Sequence, residues 1–116
     1  MHTVSIRNES RGLLLAGAAE LANRPWSRLR GLLGRAELAA GAGLIVVPCH
    51  GVHTLGMRFA IDALYLDRKG AVLRLDRNLP PGAVPPPCRG GWAVVEIPAG
   101  AAGATAPGDR VRWGAA

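Results

Sequence analysis

The feature that most constrains the fold is the segment 59–66, which is apolar on both faces apart from Asp62. A strand without alternating polar residues is typical of the centre of a sheet, where neighbouring structure covers both faces. A turn at 67–70 follows, in which Gly70 can take a positive φ, and residues 71–75 return as the partner strand. These residues predict a β-hairpin whose first strand is central.

Other segments predict a mainly β chain around that hairpin. Short apolar or β-branched runs that predict further strands occur at 3–6, 13–16, 44–47, 92–97 and 110–113. The spacing of apolar residues changes at 23–34, where Trp26, Leu29 and Leu32 recur at helical intervals and predict a helix. The proline-rich segment 79–91 predicts an irregular crossover, and residues 100–106 predict one helical turn. We therefore expect a compact antiparallel β-sandwich or barrel with one short amphipathic helix packed on it.

Length and composition limit the organisation of the chain. At 116 residues, positions 1–116 are expected to form a single domain. The 16 glycines and 9 prolines, with only 4% aromatic residues, favour turns over long helices. No apolar run approaches the ~20 residues that a membrane-spanning helix needs, and the run behind Arg11 is too short for an export signal. We expect no membrane span and a cytoplasmic protein with reduced thiols.

The net charge of +6 raises the question of nucleic-acid binding. Lys69 is the only lysine, and the arginines are scattered apart from one cluster, formed by Arg24, Arg28, Arg30 and Arg35. No aromatic stacking platform accompanies that cluster, so nucleic acid is not the expected partner. A nucleic-acid or protein partner module acting through the basic helix between Arg24 and Arg35 is kept as an alternative.

Reactive side chains concentrate in residues 48–62, which read P-C-H-G-V-H-T-L-G-M-R-F-A-I-D. Two cysteines and two histidines would make a plausible zinc set, namely Cys49, His50, His53 and Cys88. Their spacing matches no recognised zinc motif, so no cofactor is expected and zinc is the alternative. Cys49 with His53 as its base would make a thiol nucleophile, so a metal-dependent or thiol enzyme is a second alternative.

Two carboxylates, Asp62 and Glu96, lie between apolar neighbours on predicted strands. A buried unpaired carboxylate is costly, so Asp62 is expected to meet Arg58, His53 or backbone donors in a turn. If Asp62 and Glu96 share a sheet face with His53 and Arg58, the four side chains form one polar cluster.

Several motifs in a fixed order carry a family resemblance. They are R-L-R-G-L-L-G-R at 28–35, the stretch 48–62, L-D-R-K-G-A-V-L at 66–73, V-E-I-P-A-G at 95–100 and G-D-R-V at 108–111. Over about residues 11–113 the chain resembles the family known as domain of unknown function 192, or uncharacterised protein family 0127, and among its members the leaderless ones. The resemblance implies a mainly β sandwich or barrel with a short helix, and no established activity. Ala60 stands where the family pattern has proline.

The function predicted from the residues is that of a small soluble binding or accessory module rather than an enzyme. Its polar pocket on a β scaffold would take a small anionic ligand, with Arg58 as the anchor. The predicted ligand-binding residues are His53, Thr54, Met57, Arg58, Asp62 and Glu96. Trp92 is expected in the core, and the protein is expected to be a monomer or weak homodimer.

Overall fold

Seven strands form one sheet in the computed structural model, which describes residues 3–23 and 37–115. In chain order they are β1 (Thr3–Asn8), β2 (Leu13–Ala22), β3 (Ala42–Val46), β4 (Ile61–Leu66), β5 (Val72–Leu79), β6 (Ala93–Pro98) and β7 (Val111–Ala115). Their order across the sheet is β5-β4-β6-β3-β2-β1-β7. No helix occurs within the described residues, so these ranges hold none that could cross a membrane.

The predicted hairpin is confirmed as β4 and β5. All six residues of β4 are buried, and the strand pairs antiparallel with β5 on one side and β6 on the other. In the turn, the Asp67 carboxylate accepts hydrogen bonds from the backbone N–H groups of Lys69 and Ala71, at 2.8 and 2.9 Å. Gly70 has φ 86°, and a Cβ there would lie 2.5 Å from the Val111 carbonyl oxygen. Only glycine fits this position.

The strand pairing differs in one place from the antiparallel sheet that we predicted. Among the described strands, β2 and β3 pair in parallel, while the other five pairs are antiparallel. The register runs from the pair Ala18 and Ala42 to the pair Ala22 and Val46. Strand β3 lies in the middle of the sheet, between β2 and β6.

The two end strands of the sheet, β5 and β7, approach each other at one point. Ala71 and Arg110 form an isolated antiparallel bridge there. Val72 N donates to Asp109 O at 2.8 Å, and Val111 N donates to Gly70 O at 2.8 Å. The sheet is therefore curled into a half-barrel, in line with the barrel form of the prediction. We call the contact between residues 70–72 and 108–111 the seam.

Apolar side chains lie on both faces of the curled sheet. The inner core draws on all seven strands and includes Ile6, Ile45 and Leu64, each fully buried. The outer core covers the other face of β3, β4 and β6 with residues of the loop before β4 and with Cys88. Burying one such aliphatic side chain contributes about 1.5–3 kcal/mol. Two cores explain why β4 has no exposed face.

Three local predictions have different outcomes. Strand β2 extends to Ala22, beyond the predicted end at residue 16. Residues 100–106 form consecutive turns rather than a helical turn, with Gly103 N donating to Gly100 O at 3.2 Å and Thr105 N donating to Ala102 O at 3.1 Å. The predicted helix at 23–34 and its arginine cluster lie outside the described residues, apart from Asn23.

Candidate functional site

Asp62 is the most buried of the predicted ligand-binding carboxylates, with 1% of its surface exposed. One carboxylate oxygen accepts a hydrogen bond from Asn78 N at 2.9 Å, and the other accepts from Gly100 N at 3.0 Å and Ala102 N at 3.1 Å. Of the partners predicted for Asp62, the structure shows the backbone N–H donors. They satisfy the buried charge and fasten the end of β5 to the turn after β6. A shallow pocket of about 300 Å³ adjoins this contact.

Asp62 and Glu96 lie on opposite faces of the sheet. Asp62 pairs with Ile97, whose side chain belongs to the inner core, whereas Glu96 pairs with Leu44 and Ala63 of the outer core. Paired residues on adjacent strands point to the same face, and successive residues alternate between faces. The condition for a single polar cluster is therefore not met.

The loop before β4 divides the other predicted site residues into exposed and buried ones. His53 and Arg58 are exposed, whereas Thr54 and Met57 are buried. The Thr54 hydroxyl donates to Pro80 O at 2.5 Å and accepts from Ala83 N at 2.8 Å, which ties this loop to the proline-rich loop. Met57 packs in the outer core. Ligand binding by any of these residues stays a prediction.

The two cysteines lie on neighbouring segments and are both free. Cys49 N donates to Trp92 O at 2.8 Å, and Cys88 N donates to His50 O at 2.6 Å, so both thiols adjoin the outer core. Across the described ranges, 3–23 and 37–115, no three histidine, cysteine, aspartate or glutamate side chains are arranged to hold a metal ion. His50 is exposed, as is His53. Zinc binding by this set stays an untested alternative to the prediction of no cofactor.

A polar cluster that we did not predict connects β4 to β5 and the proline-rich loop. The Tyr65 hydroxyl donates to Asp76 at 2.8 Å, and Arg74 donates to Asp76 at 3.2 Å and to Pro86 O at 2.8 Å. The Arg74 guanidinium also lies 4.1 Å from the centre of the Tyr65 ring. Burial, together with the hydrogen bond to Asp76, raises the pKa of Tyr65 well above its ordinary value. The cluster fastens the loop to the sheet.

A second polar cluster lies beside the seam, around Asp109. One carboxylate oxygen accepts hydrogen bonds from Arg11 Nε at 2.5 Å, Asn8 Nδ2 at 2.9 Å and Ala106 N at 3.0 Å. These donors, with Arg11 the strongest, lower the pKa of Asp109 to about 2. Asn8 is fully buried and also donates to Thr105 Oγ1 at 3.0 Å. Asp109, predicted only as a turn residue, therefore joins β1 to the segment before β7.

Two tryptophan rings stack on each other beside the seam. Trp92 precedes β6 and Trp113 belongs to β7; their ring centres are 6.5 Å apart and their planes differ by 15°. Both indoles pack against the inner core yet remain partly exposed. They line a groove of about 380 Å³ that we call the seam groove, formed by Asp67, Arg68, Lys69, Gly70, Trp92, Arg110, Val111, Arg112 and Trp113.

The lining of the seam groove is mainly basic, although Arg112 also forms an exposed ion pair with Glu9 at 3.7 Å. The four basic side chains of the lining, all exposed, are those of Arg68, Lys69, Arg110 and Arg112. The Arg68 guanidinium lies 5.7 Å from the centre of the Trp92 ring, a cation–π distance. The one carboxylate of the lining, on Asp67, is engaged in its own turn. A second pocket of about 450 Å³ shares residues 67–69 and Trp92 and continues to Gly90 and Gly91.

Sequence reasoning missed this groove because its parts are remote in the chain. It predicted Trp92 for the core, and the structure places that ring at the edge of the inner core with part of its surface exposed. The only signals were the dipeptide R-K in the hairpin turn and the run R-V-R-W at 110–113. Neither indicates a site until the seam brings them together.

Two solved structures resemble this one, and no curated protein matches the sequence significantly. A protein of unknown function from Novosphingobium aromaticivorans DSM 12444 is 26% identical, with a TM-score of 0.75 over 96% of this chain and 84% of that chain. A protein from Sinorhizobium meliloti 1021, provisionally described as a transcription regulator, is 23% identical, with a TM-score of 0.79 over 95% and 91% of the two chains. This second likeness shows the fold alone.

The resemblance found in the sequence motifs has an independent counterpart in a family model. The model of the family DUF192, described as "Uncharacterized ACR", matches residues 6–113, which include all seven strands in whole or in part. The chain therefore belongs to the DUF192 family, a group of uncharacterised proteins.

Proposed function

We propose that this protein is a binding module whose site is the seam groove and whose ligand is a small anion with a planar group. The observation that carries the proposal is the meeting of the Trp92 and Trp113 indoles with four exposed basic side chains in one groove. Indole faces stack on planar rings, and arginine and lysine neutralise anionic groups. A pocket with aromatic walls and a few polar anchors is the usual form of a small-molecule site.

Both parts of the ligand are needed for useful affinity. An exposed ion pair contributes only about 0–1 kcal/mol, because water and salt screen the charges. Stacking on an aromatic ring adds about 0.5–1.5 kcal/mol beyond the burial of apolar area. A ligand with a ring and an anionic group should therefore bind more tightly than either group alone.

Three matched probes test this reasoning: thymidine monophosphate, thymidine and inorganic phosphate. We expect the monophosphate to change the tryptophan fluorescence at lower concentration than the other two. Trp113→Leu should weaken that response, since it removes the indole while keeping an apolar side chain on β7. Equal responses to the monophosphate and to phosphate would contradict stacking, and an unchanged response in Trp113→Leu would contradict the location.

Arg58→Gln is the matched control and also tests the pocket predicted from the sequence. Arg58 is exposed on the loop before β4 and is not part of the seam groove. We expect this variant to bind the monophosphate as the natural protein does. Loss of binding in Arg58→Gln with retention in Trp113→Leu would favour a site on the loop before β4 instead, where Arg58 lies with His53, Thr54 and Met57 of the predicted pocket.

The remaining alternatives keep their own tests. A metal-dependent or thiol enzyme would use Cys49, His50, His53 and Cys88, and needs a stoichiometric metal or a thiol that reacts rapidly with alkylating probes. A partner module through the basic segment 24–35 would bind independently of the seam groove. We also propose a cytoplasmic location, with which two free cysteines are compatible.

A further inference from the structure

We propose that the ligand of the seam groove is a single-stranded nucleic acid, an inference that rests on the proposed function and names its ligand class. The groove does not end at the tryptophan pair. The second pocket shares residues 67–69 and Trp92 with it and continues past Trp92 to Gly90 and Gly91. The two adjoining pockets, of about 380 and 450 Å³, are both open to solvent and together form what we call the path.

Along this path, stacking surfaces and positive charges occur side by side. Trp92 and Trp113 offer two indole rings 6.5 Å apart and close to parallel. The four basic side chains line the same groove, with Arg68 over the Trp92 ring and Arg112 in an exposed ion pair with Glu9. Exposed Arg89 lies next to Gly90 at the other end of the path. Single-strand binding sites combine these two elements, because the cations follow the phosphates while the bases stack on aromatic rings.

The sequence argument against nucleic acid considered only the basic cluster at 24–35 and its lack of a stacking platform. The seam supplies a platform with a different set of basic residues.

Duplexes and lipid surfaces fit this site less well. A duplex hides the faces of its bases, so the indoles would have nothing to stack on. Membrane-surface sites present apolar side chains that enter the bilayer. The exposed large aliphatic residues, Leu14, Leu55, Leu73 and Val84, are not part of the groove or of the second pocket.

The test measures binding of oligothymidylates of increasing length, from about two to about twelve nucleotides, beside thymidine monophosphate. Affinity should rise with length until the path is filled. With three or four phosphates neutralised, affinity should fall about 20- to 50-fold between about 50 and 200 mM salt. Trp113→Leu should weaken binding about tenfold, and Trp113→Phe should restore most of it because it keeps a stacking ring.

Arg68→Gln gives a second variant that does not depend on core packing, since Arg68 is exposed in the hairpin turn. Removing one phosphate contact should reduce the slope of log affinity against log salt by about 0.7. The control Arg58→Gln removes one exposed arginine elsewhere and should leave the slope unchanged. Equal slopes for the two variants would place the bound strand outside the groove.

Lys69 allows the location to be read directly, because it is the only lysine of the chain and it lines both pockets. A bound oligothymidylate should protect its amine from acetylation by an N-hydroxysuccinimide ester, as measured by mass spectrometry of the peptide. Binding without protection of Lys69 would overturn the inference and direct attention to residues 24–35.

The remaining outcomes separate this inference from the proposed function. If thymidine monophosphate binds in the groove and longer oligomers bind no more tightly, the nucleic-acid inference fails and the binding module stands. If neither binds, both fail. Equal affinity for a duplex of the same length, or for phosphatidylserine vesicles, would also overturn the inference, because binding would then depend on the basic side chains alone and not on stacking of bases on the indoles.

Discussion

Replacing Asp62 by asparagine tests whether this carboxylate holds the fold together. In the natural protein, its two oxygens accept three backbone hydrogen bonds, from Asn78, Gly100 and Ala102. An asparagine amide has one oxygen and one NH2 group, so it can keep at most the pair from Gly100 and Ala102. Its NH2 group would then face the N–H of Asn78, and the variant would lose one bond together with the negative charge.

The magnitude follows from the burial of the site. A hydrogen bond to a charged group contributes about 1.5–3 kcal/mol, and a buried donor without a partner costs about 1–3 kcal/mol. Asp62 is 1% exposed, whereas the exposed residue Asn78 lines the shallow pocket beside it, so water can replace only part of the lost interaction. The lost hydrogen bond and the unpaired donor describe partly the same loss, so their energies do not add in full. We expect Asp62→Asn to lower the free energy of unfolding by about 2–4 kcal/mol. A domain of 116 residues has about 6–17 kcal/mol in total, so the variant should still fold.

The assay is urea unfolding followed by circular dichroism, with Asp67→Asn as the matched control. Asp67 also accepts two backbone hydrogen bonds in a turn, at 2.8 and 2.9 Å, but it is only partly buried. Water can satisfy the groups released there, so the control should lose no more than about 1 kcal/mol. Hydrogen exchange adds a local readout, since the Asn78 amide should lose protection in Asp62→Asn more than the Gly100 amide does.

A loss in Asp62→Asn no larger than that in Asp67→Asn would refute this reasoning. Such a result would mean that the carboxylate contributes little to the fold and is available for a ligand, as the sequence analysis proposed. The hydrogen-exchange result distinguishes the two cases independently, because a ligand-binding role does not require the Asn78 amide to be protected in the free protein.

The other predictions concern ionisation and metal content. Tyr65 is the only tyrosine, so ultraviolet titration should show no tyrosinate near pH 10 in the folded protein. Because the phenol ionises near pH 10 in the unfolded protein and not in the folded one, the free energy of unfolding should fall as the pH rises past 10. The variant Tyr65→Phe should lack that fall. Asp109 has a lowered pKa, so its contribution to stability should be present above pH 3.8 and be lost as the pH falls towards about 2. In Asp109→Asn, the free energy of unfolding, followed by circular dichroism, should depend less on pH over that range. Tag-free protein purified under reducing conditions should contain far less than one zinc per chain, whereas about one zinc that disappears in Cys49→Ser would support the metal alternative.

Local patterns were sufficient to predict the hairpin and most strands. The buried strand β4 is continuous in sequence, and its turn carries Asp67 and Gly70 at positions where the backbone requires them. Strand pairing across the sheet depends on contacts between remote segments, which composition does not encode. The parallel pair of β2 and β3 is one such contact, and the bridge between Ala71 and Arg110 is another.

The candidate site shows the same limit. That Asp62 needs buried partners follows from its apolar neighbours, whereas the identity of those partners depends on an irregularity of β5. Asn78 has a φ of 50°, and the register of β4 against β5 shifts between Ile61 and Ala63. Such a bulge aims the Asn78 N–H at the carboxylate. The seam groove needs three remote segments at once, so no local pattern could reveal it.

The seam also bears on how the edges of the sheet are protected from pairing with other molecules. An open sheet ends in two strands whose unpaired N–H and C=O groups can pair with another molecule. Here the start of β5 and the segment leading into β7 occupy part of each other's edge. A methyl group on Gly70 would press against the Val111 carbonyl and open that contact. The damage would then extend beyond lost stability to solubility, because two freed edges would be available for intermolecular β-pairing and aggregation.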